Sequence, residues 1–177
     1  MTDAYEYGKA LFLITEEDGC TEEALSEVNS VRSILKSNPE YVKILDTPAL
    51  SKEERLSLID KAFSCVAESV RNLLKILCER RSVYVFEKVA DEFGKLYDAS
   101  RGIERVEAVT AIPLTEEQKD ALTKKLSSHL GKTVIISNIT DISILGGVKL
   151  RYCGMQLDGS VKTRLDKFEE ALRSTVI

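Results

Sequence analysis

Up to about residue 102 apolar positions recur three and four apart, and beyond it they alternate with polar ones. Those two periods predict helices first and a mixed strand-and-helix segment second. Tyr7, Ala10, Leu11 and Ile14 fall on one face of a helix over 4–14, stopped by Asp18-Gly19. Thr21 is placed to cap a second helix carrying Leu25, Val28, Val31, Ile34 and Leu35. Asn38-Pro39, a cap residue followed by proline at the first helical position, opens a third with Tyr41, Val42, Ile44 and Leu45, and Thr47-Pro48 ends it. Ser51 and Glu54 form a capping box for a fourth, with Leu56, Ile59, Ala62 and Phe63. Segments 68–80 and 82–101 read as the fifth and sixth. Helices joined by turns this short predict a six-helix bundle.

After Arg101-Gly102 a run of β-formers over 106–112 ends at Pro113. Thr115 and Gln118 make a second capping box, for a helix with Leu122, Leu126 and Leu130 that Gly131 closes. Strands are expected over 133–140, from Val148 and over 155–157, then a last helix from Ser160 to about Ser174. The expected class is α+β: a helical bundle over 1–105 followed by a small mixed α/β domain over 106–177.

A hydrophobic fraction of 44% in 177 residues suits folded cores. No apolar run reaches the about 20 residues of a membrane span. The start, MTDAYEYGKALF, carries acidic residues where a leader peptide carries basic ones. Residues 1–105 hold 15 Lys and Arg against 20 Asp and Glu, and residues 106–177 hold 10 against 9. An acidic first half, with no Trp anywhere, argues against nucleic acid as a ligand. Cysteines at 20, 65, 78 and 153 include no CxxC pair and read as reduced thiols, with Cys65 and Cys78 in the helical core.

Candidate chemistry is sparse. The one histidine, His129, sits in the last turn before Gly131, where the helix dipole favours it as a surface residue. Without matched ligands it makes no metal site. Hydrolase, metalloprotease, EF-hand and dinucleotide fingerprints are all missing. Gly146 and Gly147 invite a phosphate-loop reading, but a strand follows them where a P-loop needs Lys-Ser or Lys-Thr opening a helix. Asp158 and Ser160 read as a turn and a helix cap. No catalytic residue, cofactor, metal or small-molecule substrate is expected.

One segment carries more apolar surface than docking on a single core requires. In VRNLLKILCERR, Val70, Leu74, Leu77 and Cys78 form one face, and Leu73 and Ile76 lie on an adjacent face with Asn72 and Arg80. Two readings stay open: a central helix surrounded by its own bundle, or one wall of a groove for a partner's amphipathic helix. Tyr7, Ala10, Leu11 and Ile14 on the first helix supply the opposite wall in the second reading. Lys149, Arg151, Lys162, Arg164 and Lys167 give the second domain a basic side.

The stretch ILGGVKLRYCGMQLDGSVKTRL, residues 144–165, resembles the C-terminal signature of the delta subunit of F-type ATP synthases, the oligomycin-sensitivity-conferring protein family. Its marks are Gly146, Gly147, Gly154, Asp158, Gly159 and Ser160. YEYGKALFLITEEDG is similar to the family's first helix, SNPEYVKILDTPALSKEERLSLIDKAF to its third and fourth, and NLLKILCERRSV to its fifth. Gly8 stands where the family usually has Ala, and Met155-Gln156 where it often has an acidic and a β-branched residue. The resemblance implies a non-catalytic peripheral-stalk subunit linking the catalytic head to the membrane sector and resisting rotor torque. It implies an alpha-subunit N-terminus held by the groove residues named above, and a b subunit meeting the second domain, with the basic side as our expected contact. It implies a location on the cytoplasmic face of a bacterial membrane, held through the complex. The alternative is a free-standing helical adaptor serving another assembly.

Overall fold

A computed structural model describes residues 2–48, 50–152, 154–161 and 163. The chain is α+β and divides into two units, residues 1–97 and 98–177, with the division inside a helix between Tyr97 and Asp98. The first unit is helical: α1 (Thr2–Glu17), α2 (Thr21–Ser37), α3 (Pro39–Asp46), α4 (Lys52–Ala62), α5 (Glu68–Glu79), and most of α6 (Phe86–Ser100). The expected helix over 82–101 begins as a 3-10 turn, Val83–Val85, before α6. Arg81, left-handed at φ 52°, reverses the chain between α5 and this turn.

α5 is the centre of this unit, packing on α1, α2, α4 and the 3-10 turn. Val70, Leu73, Leu74, Leu77 and Cys78 are all buried there, and each large apolar side chain so placed contributes about 1.5–3 kcal/mol. Phe93 of α6 meets Phe12 of α1 edge-on, ring centroids 6.1 Å apart. Arg55 is buried among the helices, where its guanidinium donates to the Leu45 carbonyl at 3.2 Å and the Cys78 carbonyl at 2.9 Å. It thereby meets carbonyls left over at the ends of α3 and α5.

Capping boxes open two of the helices, α4 and the helix over Glu116–Leu130. The Ser51–Glu54 box is complete in both directions, and so is the Thr115–Gln118 box. Two expected caps are corrected. Thr21 is the first helical residue, behind Cys20 at the cap position, and its hydroxyl donates to the Thr15 carbonyl at 3.2 Å. Asn38 precedes α3, but its amide donates back to the Ile34 carbonyl at 2.8 Å, so α2 claims it. Cys65 is also corrected: it is exposed in the turn after α4, whereas Cys78 is buried as expected.

The second unit is a four-stranded mixed sheet with one described helix over it. β1 (Ile103–Thr110), α7 (Glu116–Leu130), β2 (Thr133–Thr140), β3 (Val148–Tyr152) and β4 (Met155–Asp158) give the strand order β2-β1-β3-β4. β1 and β2 are parallel, joined through α7; the other two pairings are antiparallel. Val106, Ala108, Val134 and Ile136 make the core beneath Leu122, Leu126 and Leu130 of α7. β1 starts three residues before the expected strand. Its charged opening hides the apolar alternation, and those charges are answered by partners: Glu104 by Lys132 at 2.9 Å, Arg105 by a two-pronged pair with Asp98. The expected helix from Ser160 to Ser174 lies outside the described residues, apart from its first positions.

Candidate partner-binding surfaces

α1 and α5 run antiparallel. At one end the Arg80 guanidinium stands 5.8 Å from the centre of the Tyr7 ring; at the other, Asp18 and Glu68 line the same opening. Between them lies a cleft of about 330 Å³ lined by Leu11, Ile14, Asn72, Leu73 and Ile76, with Ser69 beside Glu68. Leu11 and Leu73 are buried floor, 3% and 6% exposed, and Ile14 and Ile76 are the rims at 49% and 46%. Two half-exposed isoleucines facing each other across a buried leucine pair form an apolar slot open to solvent on one side.

The sequence treated 7, 10, 11 and 14 as one face, and the fold divides them. The side of α1 turned to the core is Ala4, Gly8, Leu11, Phe12 and Thr15. Leu11 and Ile14 line the cleft, while Tyr7 is half-buried beneath Arg80 and packs against the helical core. The Tyr7 hydroxyl is buried with no hydrogen-bond partner among the described residues. Ala10 is exposed and does not line the cleft; neither does Arg80. Val70, Leu74, Leu77 and Cys78 are buried, as a central helix requires, while Asn72 and Ile76 line the opening of the cleft. Asp18, Glu68 and Ser69 also line the cleft, and the apolar periodicity does not mark them. Helical spacing carries them, since Asp18 lies four past Ile14 and Glu68 and Ser69 lie four before Asn72 and Leu73.

Of the expected basic side of the second unit, Lys149 and Arg151 are described, and both are engaged within the sheet. Lys149 faces Asp158 across the β3–β4 pair at 3.1 Å, and Arg151 faces Glu107 across the β1–β3 pair at 3.1 Å. Lys162, Arg164 and Lys167 lie outside the described residues.

The glycine signature is a backbone clasp. The Gly159 N–H donates to the Val148 carbonyl and the Val161 N–H to the Gly146 carbonyl, each at 3.0 Å. Gly147 has φ +87°, and a Cβ there would stand 2.6 Å from the Gly159 carbonyl oxygen, so only glycine lets the two turns close. Asp158 accepts from the Ser160 N–H at 2.9 Å, and the Ser160 hydroxyl accepts from the Thr163 N–H at 3.4 Å, a helix-cap pattern. Bonds from Ser160, with help from Lys149, hold the Asp158 carboxyl well below the usual carboxylate range. Asn138, unremarked in the sequence, ties this sheet end to the β1–α7 connection: its amide donates to the Ala108 carbonyl and accepts from the Leu114 N–H, both at 2.8 Å.

Among the described residues no three His, Cys, Asp or Glu side chains converge as a metal site would require, and His129 is exposed. No helix among them is long and apolar enough to cross a membrane.

The ATP synthase delta (OSCP) subunit family profile matches residues 4–172. The ATP synthase subunit delta of Geobacillus sp. (strain WCH70) is 35% identical over 170 residues, spanning 96% of each chain. That of Clostridioides difficile (strain 630) is 34% identical over 175 residues, spanning 98% of this chain and 97% of its own. In fold, the chain resembles one from the Toxoplasma gondii mitochondrial ATP synthase hexamer, with a TM-score of 0.75, 24% identity, and 97% and 98% of the two chains covered.

Proposed function

The chain belongs to the ATP synthase delta (OSCP) subunit family, and from that premise we propose how its surfaces divide the work. It is a non-catalytic component of the peripheral stalk of an F-type ATP synthase, associated with the membrane through that complex.

In this reading the α1–α5 cleft holds the N-terminal helix of an alpha subunit of the catalytic head. The observation that carries it is the slot itself: buried Leu11 and Leu73 below, half-exposed Ile14 and Ile76 as walls. A helix laid there buries its apolar face against four aliphatic side chains, the helix-in-groove mode. A stator joint needs slow release more than fast capture, and desolvated contacts act mainly on the off-rate. The second unit meets the C-terminal end of the b subunit, and the complex lies on the cytoplasmic face of the membrane. Because Lys149 and Arg151 are already paired, their part in the b contact is to exchange or share partners rather than to offer bare charge.

The test is calorimetric titration of the intact chain with the alpha subunit's N-terminal segment. Ile76→Asp puts a carboxylate on the rim without touching the core, so the chain stays folded while affinity falls at least tenfold, about 1.4 kcal/mol or more. Affinity unchanged in Ile76→Asp and in Ile14→Asp would remove the cleft from consideration.

A further inference from the structure

We propose that the outer edge of β2 is a contact surface for a second copy of this chain, the two copies joining their sheets by antiparallel β2–β2 pairing about a two-fold axis at Ser137. The proposal concerns the free chain and does not depend on which partners the stalk supplies.

β2 is an outside strand, paired with β1 alone. The Thr133 N–H donates to the Gly102 carbonyl and the Asp141 N–H to the Thr110 carbonyl, both at 2.9 Å and both towards β1. Alternate residues of a strand turn their backbone groups to the same side. The odd-numbered positions of β2 therefore face β1, and Val134, Ile136, Asn138 and Thr140 direct their N–H and carbonyl groups outwards. The Ser127 hydroxyl of α7 accepts the Val134 N–H at 3.2 Å. Among the described residues no hydrogen bond engages the N–H groups of Ile136, Asn138 and Thr140.

Folded proteins protect such edges with short strands, charges, prolines or bulges. The other outside strand, β4, has this protection: it is four residues long and ends in Asp158. β2 has none. Its sequence, TVIISNIT, holds no charge, glycine or proline, and its register with β1 runs unbroken over eight pairs. On the face away from α7, Ile135 and Ile139 are 42% and 45% exposed, with exposed Ser137 between them.

The segment is complementary to itself. With Ser137 opposite Ser137 of the second copy, Ile136 of each copy exchanges both backbone hydrogen bonds with Asn138 of the other. The Thr140 N–H then meets the Val134 carbonyl of the other copy. On the exposed face Ile135 lies opposite Ile139 at both ends of the pair, in the closer, non-hydrogen-bonded spacing where aliphatic side chains pack best. Like charges meet nowhere along the strand. The result is one eight-stranded sheet whose outer edges are the two short β4 strands. Such a contact uses the same patch on both copies, so it closes at two and does not propagate.

A contact of one strand a side is small among protein interfaces, so association is expected in the high micromolar range. In sedimentation equilibrium the intact chain's weight-average mass should rise from that of one chain towards that of two. A chain monomeric throughout that range overturns the proposal. Ser137→Lys sets two ammonium groups against each other at the axis, on an exposed position that leaves the fold intact. It should abolish association, and an undiminished dimer overturns the assignment to this edge. Register is read by cross-linking, with Cys20, Cys65 and Cys153 replaced by serine and oxidised glutathione as oxidant. Ser137→Cys should form a disulfide-linked dimer, because the Cα atoms of a non-hydrogen-bonded pair stand about 4.5 Å apart, within disulfide reach. Ile135→Cys should not cross-link to itself, yet should cross-link to Ile139→Cys when the two are mixed. Self-linking of Ile135→Cys as readily as Ser137→Cys overturns the two-fold pairing.

Discussion

Asp158 shows what a signature residue does at the scale of one side chain. It accepts the Ser160 N–H, pairs with Lys149, and is held ionised by both, the bonds from Ser160 counting most. The sign of the linkage follows: a carboxyl whose folded pKa is lowered stabilises the fold above its unfolded pKa, and that contribution is lost as pH falls through the folded value. A carbonyl-carbon NMR titration should find Asp158 still ionised at pH 3.8, the ordinary midpoint for this group. Half-protonation there would mean that the clasp does not hold the carboxyl. The sequence offered this turn-and-cap role directly, because Asp-Gly-Ser is local chemistry. It could not show that Lys149 and Arg151 face Asp158 and Glu107, since those pairs depend on strand register. Nor could it separate exposed Cys65 from buried Cys78, whose thiol burial pushes up.

At the scale of elements, the capping boxes at Ser51 and Thr115 were legible because both partners lie within four residues. Faces of helices were harder. The stripe at 7, 10, 11 and 14 is genuine, yet the side of α1 that meets the core includes Gly8 and Thr15, which no hydrophobic count would choose. Read alone, Gly8 costs about 1 kcal/mol of helix propensity against alanine. The packing supplies its reason: a Cβ there would lie 3.1 Å from both the Val89 carbonyl oxygen and the Phe93 nitrogen, and 3.0 Å from the Glu92 Cβ. Two of those contacts are backbone, so α1 and α6 must part to admit it. Gly8→Ala should therefore destabilise the protein by about 1–2 kcal/mol in urea unfolding, the overpacking cost exceeding the propensity gain. A variant more stable than wild type would show that α1 can back away freely. The offset of β1 has a similar cause, for Glu104 and Arg105 look like loop residues until Lys132 and Asp98 are seen beside them.

For the whole molecule, the order of elements and the change from helical to mixed structure near residue 102 were readable, because the hydrophobic period itself changes. The division between Tyr97 and Asp98 was not, because α6 continues through it as one helix, with no proline and with its Gly94 held in helical backbone. The candidate site was half legible: Leu11, Ile14, Asn72, Leu73 and Ile76 came together as expected, whereas the acidic end was invisible to a search for apolar residues. Those observations and the family converge on one claim, that this chain transmits load rather than performing chemistry. The most direct measurement is proton-driven ATP synthesis by membrane vesicles stripped of this subunit and of the catalytic head, then reconstituted with the head in the presence or absence of the chain. The account predicts that added chain restores head attachment and coupled synthesis, and that Ile76→Asp restores less. Full coupling without the chain, or none with folded wild-type chain present, would contradict it.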